Sequence, residues 1–243
     1  MEPRYIRAGN HGPFTLDGTR TYLVGSEVVA IIDPGPDVDE HVRAVVREAQ
    51  GAQQVMVLLT HGHADHAGAT DAVASALDAR VLGVGHVGGH VLADGDTVET
   101  DYGTLVAVET PGHSKNHLAF HWPAAAAVFP GDAILGDGDT TWVGEYPGCV
   151  ADYLRSLTRL RELAADVMYP AHGPPIQDVP RTLDRYETHR RDRIEQVERF
   201  VASRSDASSS EVLGHVYGDR IPAGLAGAAL KSVEALMHHV SRG

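Results

Sequence analysis

The sequence predicts an α/β fold with a helical C-terminal appendage, the body spanning residues 1–177 and the helical module residues 178–243. Three observations lead there. Short apolar runs of strand length alternate with helically spaced segments throughout the body. From Asp178 onward the pattern becomes helical and highly charged. The chain of 243 residues is long enough to bury a sizeable core without disulfides, and its single cysteine, Cys149, cannot form an intrachain bridge.

The elements follow in order. Thr21–Val24 and Val28–Ile32 read as two strands joined by a glycine-containing turn, and Asp33-Pro34-Gly35-Pro36 stops the second. Over Val38–Gln50, Val42, Val45, Val46 and Ala49 fall at helical spacing, and Gly51 closes the helix. Val55–Thr60 is a continuous apolar run, as expected of a strand buried on both faces. The alanine-rich stretch Gly68–Ala79 is helical in character. Strands are expected at Val81–Val84, Thr104–Glu109, His117–Trp122 and Ala126–Phe129, and a helix over Val150–Leu163. A short strand in "DVMYPAHG" leads into a loop. A long charged helix then runs from Asp178 towards Arg204, followed by helices at Ser208–Tyr217 and Pro222–His239, with Ser208 or Ser209 placed to cap the first of these. No internal repeat of solenoid period is present.

Composition narrows the function classes. The formal net charge of -13 gives a surface that repels phosphate backbones and counts against a nucleic-acid partner. Half of the basic residues, however, lie from Arg181 onward, where a local basic groove could survive. No apolar run is long enough to span a membrane, and the N-terminus lacks the pattern of a secretory signal. With the lone cysteine, these features predict a cytoplasmic protein.

The stretch that carries chemistry is "LLTHGHADHAGA", residues 58–69. In an extended segment His61 and His63 project to the same side and can share one metal ion. Asp65 and His66 follow where the chain turns into a helix, and the turn lets them face a second ion. A helix N-terminus disfavours protonated imidazole, which keeps histidine able to ligate. Ligand-type side chains recur at three more strand-to-loop junctions: His113 in "TPGHS", Asp132 in "VFPGDA" and His172 in "YPAHGP".

The motifs "THGHADH" (60–66), "PGHS" (111–114), "GD" (131–132) and "AHG" (171–173) resemble those of the metallo-β-lactamase-fold hydrolases. The resemblance implies a four-layer αββα sandwich. It implies that His61, His63 and His113 hold one divalent metal ion, that Asp65, His66 and His172 hold a second, and that Asp132 bridges them. The aspartate at position 65 is typical of the dinuclear hydrolase branches and points away from antibiotic hydrolysis. More narrowly, "FPGDAILGDGDTT", "DYLRSLTRLREL", "YPAHGPPI" and "HRRDR" resemble the branch of lactamase-beta-like protein two. That branch includes a single-strand endoribonuclease and fungal thioesterases that release polyketides from carrier proteins. Its C-terminal helices resemble a winged-helix module, here expected to be truncated, with its wing absent or very short.

Two such ions, about 3.5–4 Å apart, lower the pKa of a shared water, and the resulting hydroxide attacks an electrophilic centre. Asp65 would ligate one ion and orient that hydroxide. Neutral nitrogen donors with few carboxylates favour zinc, with iron or manganese as alternatives. The expected function is hydrolysis of an ester, thioester or lactone, presented as a small molecule or on an acyl carrier. The alternative is a single-strand endoribonuclease, and a non-enzymatic role for structural metals ranks third. Thr140, Thr141 and Trp142, in the stretch after Asp132, are candidates to line the pocket, and the competing account is a flexible loop without chemistry. His189, Arg190 and Arg193 match the branch pattern, and Arg190 and Arg193 share a helix face that could bind a substrate carboxylate or phosphate. The competing account of that face is a solvated charged helix. Cys149 reads as a packed or surface thiol, His86 and His90 as loop histidines, and His238 and His239 as helix-terminal cations.

Overall fold

The structure, a computed structural model, describes residues 1–85, 88–204, 206–218, 221 and 224–242. Its architecture follows from strands with two apolar faces. β1 (Arg4–Arg7), β2 (Arg20–Val24), β3 (Val28–Ile32), β4 (Gln54–Leu59) and β5 (Arg80–Gly83) form one sheet in that spatial order. β1, β2 and β3 pair antiparallel, whereas β3, β4 and β5 are parallel. The second sheet has the order β10-β9-β8-β7-β6. In it β6 (Thr97–Thr100), β7 (Gly103–Glu109), β8 (Leu118–Trp122) and β9 (Ala127–Phe129) pair antiparallel, and β10 (Val167–Met168) runs parallel to β9.

Helices cover the outer faces. α1 (Asp39–Ala49), the single turn α2 (Ala64–Ala67) and α3 (Thr70–Leu77) belong to the first sheet, and α4 (Cys149–Glu162) to the second. α5 (Val179–Ser203), α6 (Ser209–Tyr217) and α7 (Ala226–Val240) complete the chain. The side-chain alternation of β4 shows how the layers are built. Val55, Val57 and Leu59 pack outward with Val45 of α1 and Val73 of α3, while Met56 and Leu58 pack inward with Phe120, Trp122 and Phe129 of the second sheet. A third apolar layer joins Val108, Ala119 and Val128 of the second sheet to Tyr153, Leu157 and Leu160 of α4. Leu183 and Tyr186 of α5, Val212 of α6 and Leu236 of α7 enter that same layer. Four layers with three apolar seams make the αββα sandwich.

The expected elements are present within a few residues, and Ser208 caps α6 through a reciprocal capping box with Glu211. Three features differ. β1 and β6 had no alternating apolar signal, because both are short edge strands with mostly exposed or charged side chains. The expected helical stretch Gly68–Ala79 holds α3, but a separate single turn, α2, precedes it, and the loop ending β3 bonds to the chain between them. There Gly35 N–H donates to His66 O at 2.8 Å and Ala69 N–H to Gly35 O at 2.9 Å. The last helix begins at Ala226, and Pro222, its expected start, lies outside the described residues.

Asp101, in the β6–β7 turn, fastens the two sheets at one end. Its carboxylate accepts from the backbone N–H groups of Ser26, Val28 and Glu27 at 2.9, 3.0 and 3.3 Å, and from the Ser26 hydroxyl at 3.1 Å. Desolvation opposes ionisation, but these donors hold its pKa down at about 2. A depressed carboxylate pKa contributes stability above the unfolded value, which fades as pH falls through that value towards the folded one. Asp101→Asn is therefore expected to lower stability at about pH 6, with the gap to wild type narrowing by about pH 3. Urea unfolding at the two pH values checks this, and a gap that stays constant would remove Asp101 from the account.

Candidate metal centre

Strand direction gathers the chemistry on one edge. The C-terminal ends of β3 and β4 deliver Asp33 and the His61-Gly62-His63 segment. The ends of β7, β9 and β10 lead to His113, Asp132 and His172. The two sheets meet at this edge, where Leu118 N–H donates to Thr60 O at 2.8 Å. α2 starts at Ala64 and carries Asp65 and His66 in its first turn.

All seven expected residues come together. Their inward atoms form three overlapping groups, each within 4.8 Å: His61, His63 and His113; His61, His66 and Asp132; Asp65, His66 and His172. His63 Nδ1 lies 3.0 Å from His61 Nε2 and 3.1 Å from His113 Nε2. His66 Nε2 and His172 Nε2 are 3.2 Å apart. Asp132 sits between the groups, with Oδ1 3.3 Å from both His66 and His172 and Oδ2 3.5 Å from His113. Asp65 Oδ2 lies 3.2 Å from His172 Nε2.

The outward nitrogens fix the protonation pattern. His66 Nδ1 is 2.8 Å from an Asp33 carboxylate oxygen, which can only accept, so Nδ1 carries the proton. The Thr60 hydroxyl donates to Asp33 at 2.7 Å, so it must accept from His61 Nδ1, 3.0 Å away. His113 Nδ1 donates to Trp142 O at 3.0 Å and His172 Nδ1 to Gly18 O at 3.5 Å. His63 Nε2 points to the Glu145 carboxylate at 3.6 Å. His61, His66, His113 and His172 thus each place an outer nitrogen against an acceptor and turn the other nitrogen inward, where His63 Nδ1 and two carboxylates face them. Lone pairs held 3.0–3.5 Å apart repel unless something positive lies between them. Among the described residues nothing donates a hydrogen bond to the buried Asp132 Oδ1. Divalent cations fit this donor set.

Electrostatics agrees. Burial pushes His61 well below the ordinary imidazole range and lowers His113, keeping both neutral. Burial opposes the charge on Asp132, but His66 and His172 beside it hold its pKa well below the ordinary carboxylate range. Burial likewise opposes a charge on His66, yet Asp132 and Asp33 raise its pKa well above the ordinary value. The cluster opens at His63 and Asp65, whose side chains are 36% and 28% exposed, while those of His66 and His172 are fully buried. The Trp142 ring stands at this opening, 5.9 Å from His113 and 6.3 Å from His63.

Three contributors escaped the sequence reading. Asp33 looked like a strand stop, but it is 2% exposed and orients two imidazoles. It does so at a φ of 51°, a conformation that costs a non-glycine residue energy and persists only where its surroundings enforce it. The rule applied to β4, a polar residue ending an apolar strand, would have found it. His117 looked like the start of a strand. Its Nε2 accepts from Asp132 N–H at 3.1 Å, so it props a candidate ligand rather than joining the inward set. Glu145 had no motif signal at all.

The remaining candidates are placed as follows. Thr141 is buried, with its hydroxyl 3.5 Å from His113 Nδ1, and Thr140 is exposed beside it. His189 Nδ1 faces Asp139 at 3.3 Å. Arg190 is buried and donates to Thr141 O at 3.0 Å, and Arg193 donates to Val216 O at 3.1 Å while covering the Tyr217 ring. Cys149 is buried, and burial pushes its thiol pKa up. His90 lies in a bridge to β5, and His86 lies outside the described residues.

The segment carrying His61 and His63 is held from behind by a backbone contact. A Cβ on Gly85, whose φ is +87°, would fall 2.4 Å from Gly62 Cα and 2.7 Å from Gly62 N. Gly85→Ala is expected to displace that segment, with a loss of about 2–4 kcal/mol in stability and weaker metal binding. Urea unfolding with a metal titration checks it. Wild-type values in both would show that the contact is not needed.

The metallo-beta-lactamase superfamily profile matches residues 14–103 and 87–172. A "Beta-lactamase-like protein 2 homolog" of Caenorhabditis elegans is 33% identical, over 96% of this chain and 81% of that protein. An "Atrochrysone carboxyl ACP thioesterase" of Aspergillus chevalieri is 33% identical over 90% of this chain and 74% of its own length. The chain spans 59–63% of several other fungal relatives. Among solved structures, the metallo-beta-lactamase family protein TTHA1429 of Thermus thermophilus superposes with a TM-score of 0.80, at 22% identity, covering 99% of this chain and 93% of that one. Strand order, the histidine-aspartate edge and these likenesses agree, and the chain belongs to the metallo-β-lactamase superfamily as one of its hydrolases.

Proposed function

We propose that the protein hydrolyses an acyl thioester, ester or lactone, carried by a small molecule or an acyl-carrier protein, at a dinuclear metal centre. The observation that carries the proposal is the inward array of five imidazole nitrogens and two carboxylates, partly exposed at His63 and Asp65. His61, His63 and His113 would hold one ion, Asp65, His66 and His172 the other, and Asp132 would contact both. Zinc suits this nitrogen-rich set, with iron or manganese as alternatives. When bound, the ions supply Lewis acidity and an activated water.

The chain's own residues supply the rest. Asp65 is the more exposed of the two inward carboxylates and stands at the opening, placed to take a proton from an attacking water. The Trp142 ring, beside His113 and His63, offers a face against which an acyl chain would lie. Residues 178–243 act as a C-terminal helical module behind that face. The net charge of -13 and the Glu145 carboxylate at the opening favour a carbonyl over a phosphodiester substrate. No helix among the described residues is long and apolar enough to cross a membrane. The single cysteine supports a cytoplasmic location as part of this proposal.

The test is to incubate zinc-loaded protein with acyl thioesters, lactones and labelled single-stranded RNA. Thioester or lactone hydrolysis that falls roughly 10²–10⁴-fold in Asp65→Asn is the expected result. Cleavage of RNA alone, lost in His63→Ala, would transfer the assignment to the endoribonuclease reading. Purified protein holding far less than one metal equivalent would refute both.

A further inference from the structure

Arg190 sits in α5, is 3% exposed, and has no carboxylate within ion-pair distance among the described residues. Burying an unpaired guanidinium is costly, so its contacts indicate what the position is for. Its Nη2 donates to Thr141 O at 3.0 Å and reaches Thr140 Oγ1 at 3.4 Å, while its Nε has no hydrogen-bond partner among the described residues. The guanidinium lies over the Tyr153 ring at 5.3 Å, and the Tyr153 hydroxyl donates to Ala133 O at 2.9 Å, one residue from Asp132.

The loop Arg190 grips runs directly to the metal centre. Thr141 is followed by Trp142, whose carbonyl accepts from His113 Nδ1 at 3.0 Å. The same loop is gripped from α7. The Trp142 indole N–H donates to Ala228 O at 3.1 Å, and a Cβ on Gly144 would fall 2.9 Å from the Lys231 and Ser232 backbone. The C-terminal helices therefore hold both ends of the segment that presents one carbonyl to one ligand.

We propose that Arg190 is a positioning residue for the metal centre, fixing the Thr141–Trp142 main chain so that its carbonyl keeps His113 in the ligating tautomer. This rests on reading the seven-residue cluster as a metal centre. Arg190 acts through His113, and the helical module becomes part of the site's scaffold.

The experiment compares wild type, Arg190→Met and Arg161→Met as zinc-loaded full chains. Arg161 bridges α4 to Asp184 and Glu187 on the surface of α5 and does not touch the loop. Zinc release to a chromogenic chelator is followed, together with the exchangeable imidazole N–H resonances of the cobalt-substituted protein. Arg190→Met is expected to release one ion about 10–100-fold faster, as when an outer partner of a ligating histidine is removed. It should also shift a single N–H resonance, whereas Arg161→Met should leave both readouts unchanged. Wild-type release from folded Arg190→Met overturns the proposal, as does equal acceleration in Arg161→Met. Should Arg190→Met fail to fold, Arg190→Gln keeps a shorter polar side chain that cannot reach the Thr141 carbonyl as the guanidinium does, and wild-type zinc release there overturns the proposal as well. Wild-type protein that binds no zinc would instead remove the metal-centre reading on which the proposal stands.

Discussion

Asp132→Ala is expected to abolish hydrolysis and weaken retention of both metal ions together. Asp132 is the inward group that faces both halves of the cluster, with His66 and His172 near one carboxylate oxygen and His113 near the other. Its position is set from behind, since its backbone N–H donates to His117. Alanine at 132 would leave the lone pairs of three histidines without the anionic group that balances bound cations. A loss of at least about 10³-fold in kcat/KM is expected, equivalent to ~4 kcal/mol of transition-state stabilisation. Metal analysis should show both equivalents reduced. A variant that retained two equivalents and its turnover would remove Asp132 from the centre.

Asp33→Ala should be nearly as damaging, although Asp33 is not in the inward set. Its carboxylate accepts from Thr60 N–H at 2.8 Å, from the Thr60 hydroxyl at 2.7 Å and from His66 Nδ1 at 2.8 Å. Alanine orphans all three buried donors. The freed Thr60 hydroxyl no longer has to accept from His61, so that imidazole loses its fixed tautomer. Breaking a buried, hydrogen-bonded charge pair costs about 3–5 kcal/mol, which corresponds to a fall of roughly 10 °C or more in Tm for a chain of this size. Zinc affinity should drop more than about 100-fold, because two outer partners are lost in one step. Calorimetry of the metal-free variant and a zinc titration separate the two effects. Reduced stability with unchanged affinity would make Asp33 a packing group only.

These two residues mark where the sequence was legible and where it was not. Asp132 could be read because it sits in a short motif after an apolar strand, like His61, His113 and His172, and strand ends point where the sheets point. The body's layers were legible for a related reason. The run Val55–Leu59 is apolar at every position, which only a strand covered on both sides can satisfy. Asp33 was hidden because its partners lie 27 and 33 residues away, and one side chain in a Pro-Gly turn does not reveal what it bonds. Arg190 was visible as a charge on a helix, yet no linear pattern separates a solvated arginine from a buried one. Its role depends on a loop 49 residues upstream.

The apolar seam shared by α4 and the three C-terminal helices has a consequence for how such a chain can be divided. Cutting after β10 would not release a compact smaller enzyme. It would lay bare the greasy flank of α4 and unfasten the Trp142 strap in the same stroke. Lineages that exchange this tail for another must therefore supply a replacement surface of matching shape, so that variation in the tail and behaviour of the catalytic edge are expected to travel together.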